Sequence, residues 1–106
     1  MILIVEDDKS IIECLDDVLI DKFIIATDAA QAIKLLKEKS FSIVFCDVHG
    51  IEKDRFTAHD VVKFCASAGT PCFITTNNPY SASEFRTEYG ITCVDKLELL
   101  SKLHVN

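Results

Sequence analysis

Short apolar runs rich in β-branched residues alternate along this chain with longer stretches whose apolar residues recur every three or four positions. Residues 2–5, 23–26, 42–46, 72–76 and 91–94 have strand length, and four of these runs are apolar almost throughout. A strand with one wet face alternates polar with apolar, so continuous runs predict strands covered on both faces, as in a parallel sheet. Between the runs, Ile11, Ile12, Leu15, Val18 and Leu19 form one helical stripe. Ala29, Ala32, Ile33 and Leu36 form a second, and Val61, Phe64, Cys65 and Ala68 a third, each able to lay one face on a sheet. Leu97, Leu100 and Leu103 predict the inner face of a last, short helix. Ser10 with Glu13 and Ser81 with Glu84 have capping-box spacing, while Gly69 and Gly90 stand where helices should stop.

Five βα units in this order predict an α/β fold, a doubly wound five-stranded parallel sheet, because right-handed crossovers wind helices onto both faces. Ligands of such sheets gather beyond the carboxyl ends of the strands. Those ends are polar here: Glu6, Asp7 and Asp8 close the first, Asp47 the third, Thr75 and Thr76 the fourth, and Asp95 and Lys96 follow the fifth. Each acid taken singly has a plainer use, Asp7 and Asp8 as helix caps and Asp47 in a loop. Carboxylates converging on one edge repel each other, however, and a hard divalent cation with oxygen ligands holds them together; Mg²⁺ is the natural candidate. A metal-bound carboxylate can attack phosphorus, a hydroxyl can bond a phosphoryl oxygen, and a lysine can neutralise another. The Gly-rich, amide-donating loop that a flavin or bare phosphate needs after strand one is missing.

At 106 residues the chain has room for a single domain, 1–106, and with 49% apolar and 26% charged residues it is globular rather than disordered. Eleven Lys and Arg against 17 Asp and Glu give a net charge of −6, with no basic block to track a phosphate backbone, so no direct nucleic-acid contact is expected. The apolar opening stops at Glu6, far short of a membrane span, and lacks the basic start of a signal peptide. A cytoplasmic location without membrane insertion is the expectation. The five cysteines, at 14, 46, 65, 72 and 93, have no C-x-x-C spacing and mostly sit in apolar runs, which reads as small buried hydrophobes in a reducing compartment. His49 and His59 lack the companion spacing of a zinc site.

Taken in order, ILIVEDD at 2–8, IVFCD at 43–47, PCFITT at 71–76 and CVDK at 93–96 resemble the motifs of a response regulator receiver domain of two-component signalling. The resemblance covers essentially the whole chain and implies a flavodoxin-like receiver fold of (βα)5 topology. It implies Mg²⁺-dependent phosphoryl transfer onto Asp47 from a phosphohistidine on a histidine kinase or histidine phosphotransfer protein. It further implies Mg²⁺ ligation by Asp7, the Asp47 side chain and the His49 backbone carbonyl, with Glu6 acting through water. Thr76, five residues after Pro71, matches the switch hydroxyl better than Thr75, Lys96 matches the partner of the phosphoryl group, and Asp8 is left to cap the first helix. The chain would catalyse only its own phosphorylation and dephosphorylation, and with few residues after Lys96 it would signal as a single domain to a downstream protein target.

One stretch and three single positions depart from the family. After Asp47 the family has Met or Leu, then Pro, then Asp-Gly, whereas this chain runs Val48, His49, Gly50, Ile51, Glu52, Lys53, Asp54, Arg55, which predicts a longer and looser loop before the third helix. Leu97 replaces the proline after the lysine, so a trans Lys96–Leu97 bond is expected. Cys93 replaces the aromatic that swings on phosphorylation, and Asn77 replaces a small residue. A small lever at 93 shifts the expected readout to residues 49–60 and 77–81. These departures leave a second reading, a receiver-like protein-binding module working without phosphorylation. An aspartate-nucleophile phosphohydrolase would carry a second Asp where His49 stands.

Overall fold

The computed structural model describes residues 1–18, 23–48, 50–76 and 83–95. Its elements are β1 (Ile2–Val5), α1 (Lys9–Val18), β2 (Phe23–Ala26), α2 (Ala29–Glu38), β3 (Ile43–Asp47), α3 (Ala58–Ala68), β4 (Cys72–Thr76), α4 (Ser83–Tyr89) and β5 (Cys93–Asp95). The strands form one parallel sheet in the order β2-β1-β3-β4-β5. Among the described residues, no helix is long and apolar enough to cross a membrane. The expected helix around Leu97, Leu100 and Leu103, the Lys96–Leu97 bond, Ser81 and Asn77 lie outside the described residues.

The strand runs owe their apolar character to the register. Val5, Ala26, Cys46 and Ile74 stand in one row across four strands and Leu3 and Val44 in another, and all six are buried against α2 and α3. Ala29, Ala32, Ile33 and Leu36 of α2 are all buried, as their spacing predicts, and the three small residues Ala29, Ala32 and Ala58 permit close helix packing. On α3 the buried set is Ala58, Val61, Val62 and Cys65, so the predicted stripe is rotated: Ala68 is exposed and Phe64 only half-buried. The rotation follows from packing α3 against both α2 and the sheet, which recruits Val62 and Ala58 on the flank of the stripe. Phe45 and Phe73, register partners on the other row of the sheet, stack with ring centroids 5.7 Å apart.

Strand boundaries move by small steps for identifiable reasons. Ser42 donates both its N–H and its hydroxyl to the Met1 carbonyl, at 2.9 and 3.0 Å, so it clamps the chain start and β3 proper begins at Ile43. Ile91 N–H turns back to the Phe85 carbonyl of α4, and β5 therefore starts later than 91. Gly69 ends α3 in the left-handed region, at φ 71°, where its own N–H donates to the Ala66 carbonyl and the Thr70 N–H to the Cys65 carbonyl.

The capping residues differ from the expected pair. Asp8 caps α1, its Oδ1 accepting the Ser10 N–H at 2.9 Å and the Ser10 hydroxyl at 2.6 Å, so Ser10 lies inside the helix and makes no box with Glu13. Asp8 thus has the capping role read from the sequence. Asp28 caps α2 through the Gln31 N–H, and Thr57 with Asp60 forms a capping box on α3.

The connection from β3 to α3 also corrects the expectation of a loose loop. Val48 and Ile51 are buried, Ile51 completely, and the Ile51 carbonyl accepts the Ala29 N–H at 2.7 Å. Lys53 and Phe56 exchange two backbone hydrogen bonds around Asp54 and Arg55, both at positive φ, which is the signature of a tight two-residue turn. Buried apolar surface and paired backbone groups, absent from a polar loop, fasten this segment to α2. Ile51→Ala is expected to cost about 2–4 kcal/mol in urea denaturation. Lys53→Ala, which removes only a 3.8 Å surface ion pair to Asp28, should stay within about 0.5 kcal/mol. An Ile51→Ala cost as small as that of Lys53→Ala would show that the loop is not anchored.

Candidate functional site

One row beyond the Val5↔Cys46 pair, β1 and β3 deliver Glu6 and Asp47 side by side, and Thr75 of β4 pairs with Asp47 in the same row. The Glu6 N–H still bonds the Ala26 carbonyl at 2.9 Å, so the backbone remains clamped where the acids emerge. Glu6, Asp7 and Asp47 each offer a carboxylate oxygen, and these oxygens all lie within 4.8 Å of one another. Glu6 and Asp47 are buried, at 2% and 6% exposure, whereas Asp7 faces solvent. Local amides fix the two buried groups: Asp8 N–H donates to Glu6 Oε1 at 3.2 Å and Val48 N–H to Asp47 Oδ1 at 2.8 Å.

This donor set suits a small hard cation. An octahedral ion with oxygen ligands at about 2.1 Å places those oxygens about 3 Å apart in adjacent positions and about 4.2 Å apart in opposite ones. Three carboxylate oxygens within 4.8 Å need only small side-chain adjustments to meet that spacing. Two of the three are buried and one is open to water, which leaves positions for water or an incoming group.

Thr75 and Thr76 are both buried at the end of β4; Thr75 pairs in register with Asp47, and Thr76 pairs with Asp95 of β5. Lys96, next in sequence to Asp95, and His49 lie outside the described residues, so their expected roles rest on the sequence. Sequence reasoning missed Gly50. Its position approaches the Asp7 carboxylate so closely that a Cβ there would stand 2.5 Å from Asp7 Oδ2. A lone glycine in a polar stretch was the sole signal, and glycine occurs in loops for many reasons.

Beneath the acids lies a thiol. Cys46 is fully buried, and its Sγ–H donates to the Asp47 carbonyl at 3.3 Å. Burial pushes its pKa well up, and the negative charges of Asp47 and Glu6 and the neighbouring Cys65 act in the same direction, so the thiol stays protonated. The hydrogen bond with Cys65 raises Cys72, burial adds to it, and Cys46, Cys65 and Cys72 are free thiols. These thiols behave as core hydrophobes. Iodoacetamide at about pH 8.5 is expected to spare Cys46 in the native protein and to reach it only at urea concentrations that unfold the chain. Native-state labelling as fast as that of a free thiol would contradict this placement.

Comparisons with known proteins bear on the fold. No family model matches the chain, and no curated protein matches it. Among solved structures it is similar to the signal receiver domain of an HD domain-containing protein from Pseudomonas fluorescens Pf-5, with a TM-score of 0.78 and 20% identity over 98% of this chain and 80% of that one. It is also similar to a de novo designed Rossmann 2x3 fold protein, with a TM-score of 0.74 and 16% identity over 94% of this chain and 82% of that one. At these identities the likeness establishes an α/β fold of the Rossmann or flavodoxin type with a parallel sheet.

Proposed function

We propose that this chain is a receiver-type phosphoacceptor domain of two-component signalling, with Asp47 as the phosphoacceptor and Mg²⁺ as its cofactor. The observation that carries this reading is the convergence of the Glu6, Asp7 and Asp47 carboxylates within 4.8 Å at the carboxyl edge of a parallel sheet. Its support also includes the receiver domain among the structures of similar fold and the motifs quoted above.

In this reading Asp7, the Asp47 side chain and the His49 carbonyl would hold Mg²⁺, with Glu6 completing the acidic cluster beside it. The cation, when bound, neutralises charge on the phosphoryl oxygens. One oxygen of Asp47 attacks the phosphorus of a phosphohistidine; the new O–P bond forms as the P–N bond breaks, and the imidazole leaves on the donor protein. Val48 N–H holds the Asp47 carboxylate in orientation through Oδ1, so its attack does not require a rotor search. Thr76 then bonds a phosphoryl oxygen and Lys96 pairs with another. The donor is a histidine kinase or histidine phosphotransfer protein, the setting is cytoplasmic, and the output is an altered contact with a downstream protein.

One observation favours a second reading. Residues 53–56 close a tight turn and Ile51 is bonded to α2, in a stretch whose sequence departs from the family, and a fixed, unusual loop is also what a protein-binding module without phosphorylation would present. Acetyl phosphate with Mg²⁺ separates the two: intact-mass analysis is expected to show one added phosphoryl group, lost in Asp47→Asn because an amide is a poor nucleophile. Phosphate on a Ser or His, or none at all, sinks the phosphoacceptor reading. Separately, millimolar Mg²⁺ is expected to shift the amide resonances next to Asp7 and Asp47 together. Silence at both leaves the binding module as the better account.

A further inference from the structure

The β3–α3 connection comes so near to the acidic cluster that a side chain on Gly50 would displace the Asp7 carboxylate. A Cβ on Gly50 would sit 2.5 Å from Asp7 Oδ2 and 2.9 Å from both its Cγ and its Oδ1, closer than a Cβ comes to any unbonded heavy atom. Gly50 also has φ 84°, in the left-handed region. Two separate constraints, a backbone one and a steric one, therefore converge on this glycine.

We propose that Gly50 is a positioning residue for the cation site, bringing bare backbone against the Asp7 carboxylate so that Asp7 stays seated beside Glu6 and Asp47. This rests on the metal reading above. The reason that Asp7, and not the loop, would yield to an added methyl lies in how each is held. The loop is pinned on both sides of Gly50: its own N–H donates to Glu52 Oε2 at 3.1 Å, Val48 and Ile51 are buried, and the Ile51 carbonyl is bonded to Ala29 N–H at the start of α2. Asp7 is exposed and has open solvent into which its carboxylate can swing. A side chain at position 50 therefore pushes one ligand of the cluster outward while Glu6 and Asp47 remain in place. The expected signature is a loss of cation affinity out of proportion to the loss of stability.

The fold supplies its own control. Gly69 has a similar φ, 71°, but nothing within 4 Å of where its Cβ would stand. Gly69→Ala thus carries the backbone strain without the collision. Calorimetric Mg²⁺ titration is expected to show Gly50→Ala weakened by about tenfold or more, the range typical of losing a group that orients a metal ligand. Gly69→Ala should bind as the parent does. In thermal unfolding, the excess destabilisation of Gly50→Ala over Gly69→Ala should vanish in an Asp7→Ala background, which lacks the three colliding atoms. If Gly50→Ala alone fails to fold, recovery of the fold in the Asp7→Ala, Gly50→Ala double variant supports the assignment, and a double variant that remains unfolded while Gly69→Ala folds overturns it. A parent protein that binds no Mg²⁺ overturns the metal reading together with this one. Binding by the parent that Gly50→Ala matches overturns the role of Gly50 and leaves the metal reading standing.

Discussion

Parallel pairing of β3 with β1 on one side and β4 on the other governs the carboxyl edge of this molecule. The pairs Val5↔Cys46 and Asp47↔Thr75 mean that Glu6, Asp47 and Thr75 arrive in one row, although 41 residues separate the first two in sequence. A slip of one residue in either ladder would turn the side chains of that strand to the opposite face. The apolar rows below it, Val5, Ala26, Cys46 and Ile74 above all, are what prevent the slip, because the same slip would carry them out of the core. Core packing and site geometry are thus enforced by the same register.

Bringing three carboxylates together works against folding, since like charges close to one another repel. Local backbone amides offset part of this, with Asp8 and Val48 N–H groups directed at Glu6 and Asp47. Among the described residues no buried side-chain nitrogen or oxygen lacks a hydrogen-bond partner, so the edge is satisfied as well as charged. In the proposed reading, the repulsion that remains is what a bound cation would relieve, and the cluster would trade stability for affinity.

The loop after Asp47 illustrates how a polar sequence can fold tightly. Glu52, Lys53, Asp54 and Arg55 are exposed, yet Val48 and Ile51 on one side and the Thr57–Asp60 box on the other hold the backbone. Asp54 and Arg55 accept positive φ, a conformation costing about 1–2 kcal/mol per non-glycine residue, and the two backbone bonds between Lys53 and Phe56 offset it. The cysteines keep the plain role that their apolar runs predict: Cys46 and Cys65 are buried and Cys72 is half-buried, all three as free thiols.

Local pattern determined the elements that depend on periodicity alone. Continuous apolar runs marked β1, β2 and β4 at their observed limits, the Ala29, Ala32, Ile33, Leu36 stripe marked the buried face of α2, and Gly69 marked the end of α3. The acids at the strand ends were legible for the same reason, since a strand's carboxyl end can be read from where its apolar run stops. Tertiary structure decided whatever needed a distant partner. Which flank of α3 is buried depends on α2; where β3 and β5 begin depends on Met1 and on the Phe85 carbonyl; the anchoring of Ile51 depends on Ala29. The placing of Gly50 against Asp7 belongs to this second class, because 43 residues of chain separate the two and only the closed sheet brings that backbone to that carboxylate.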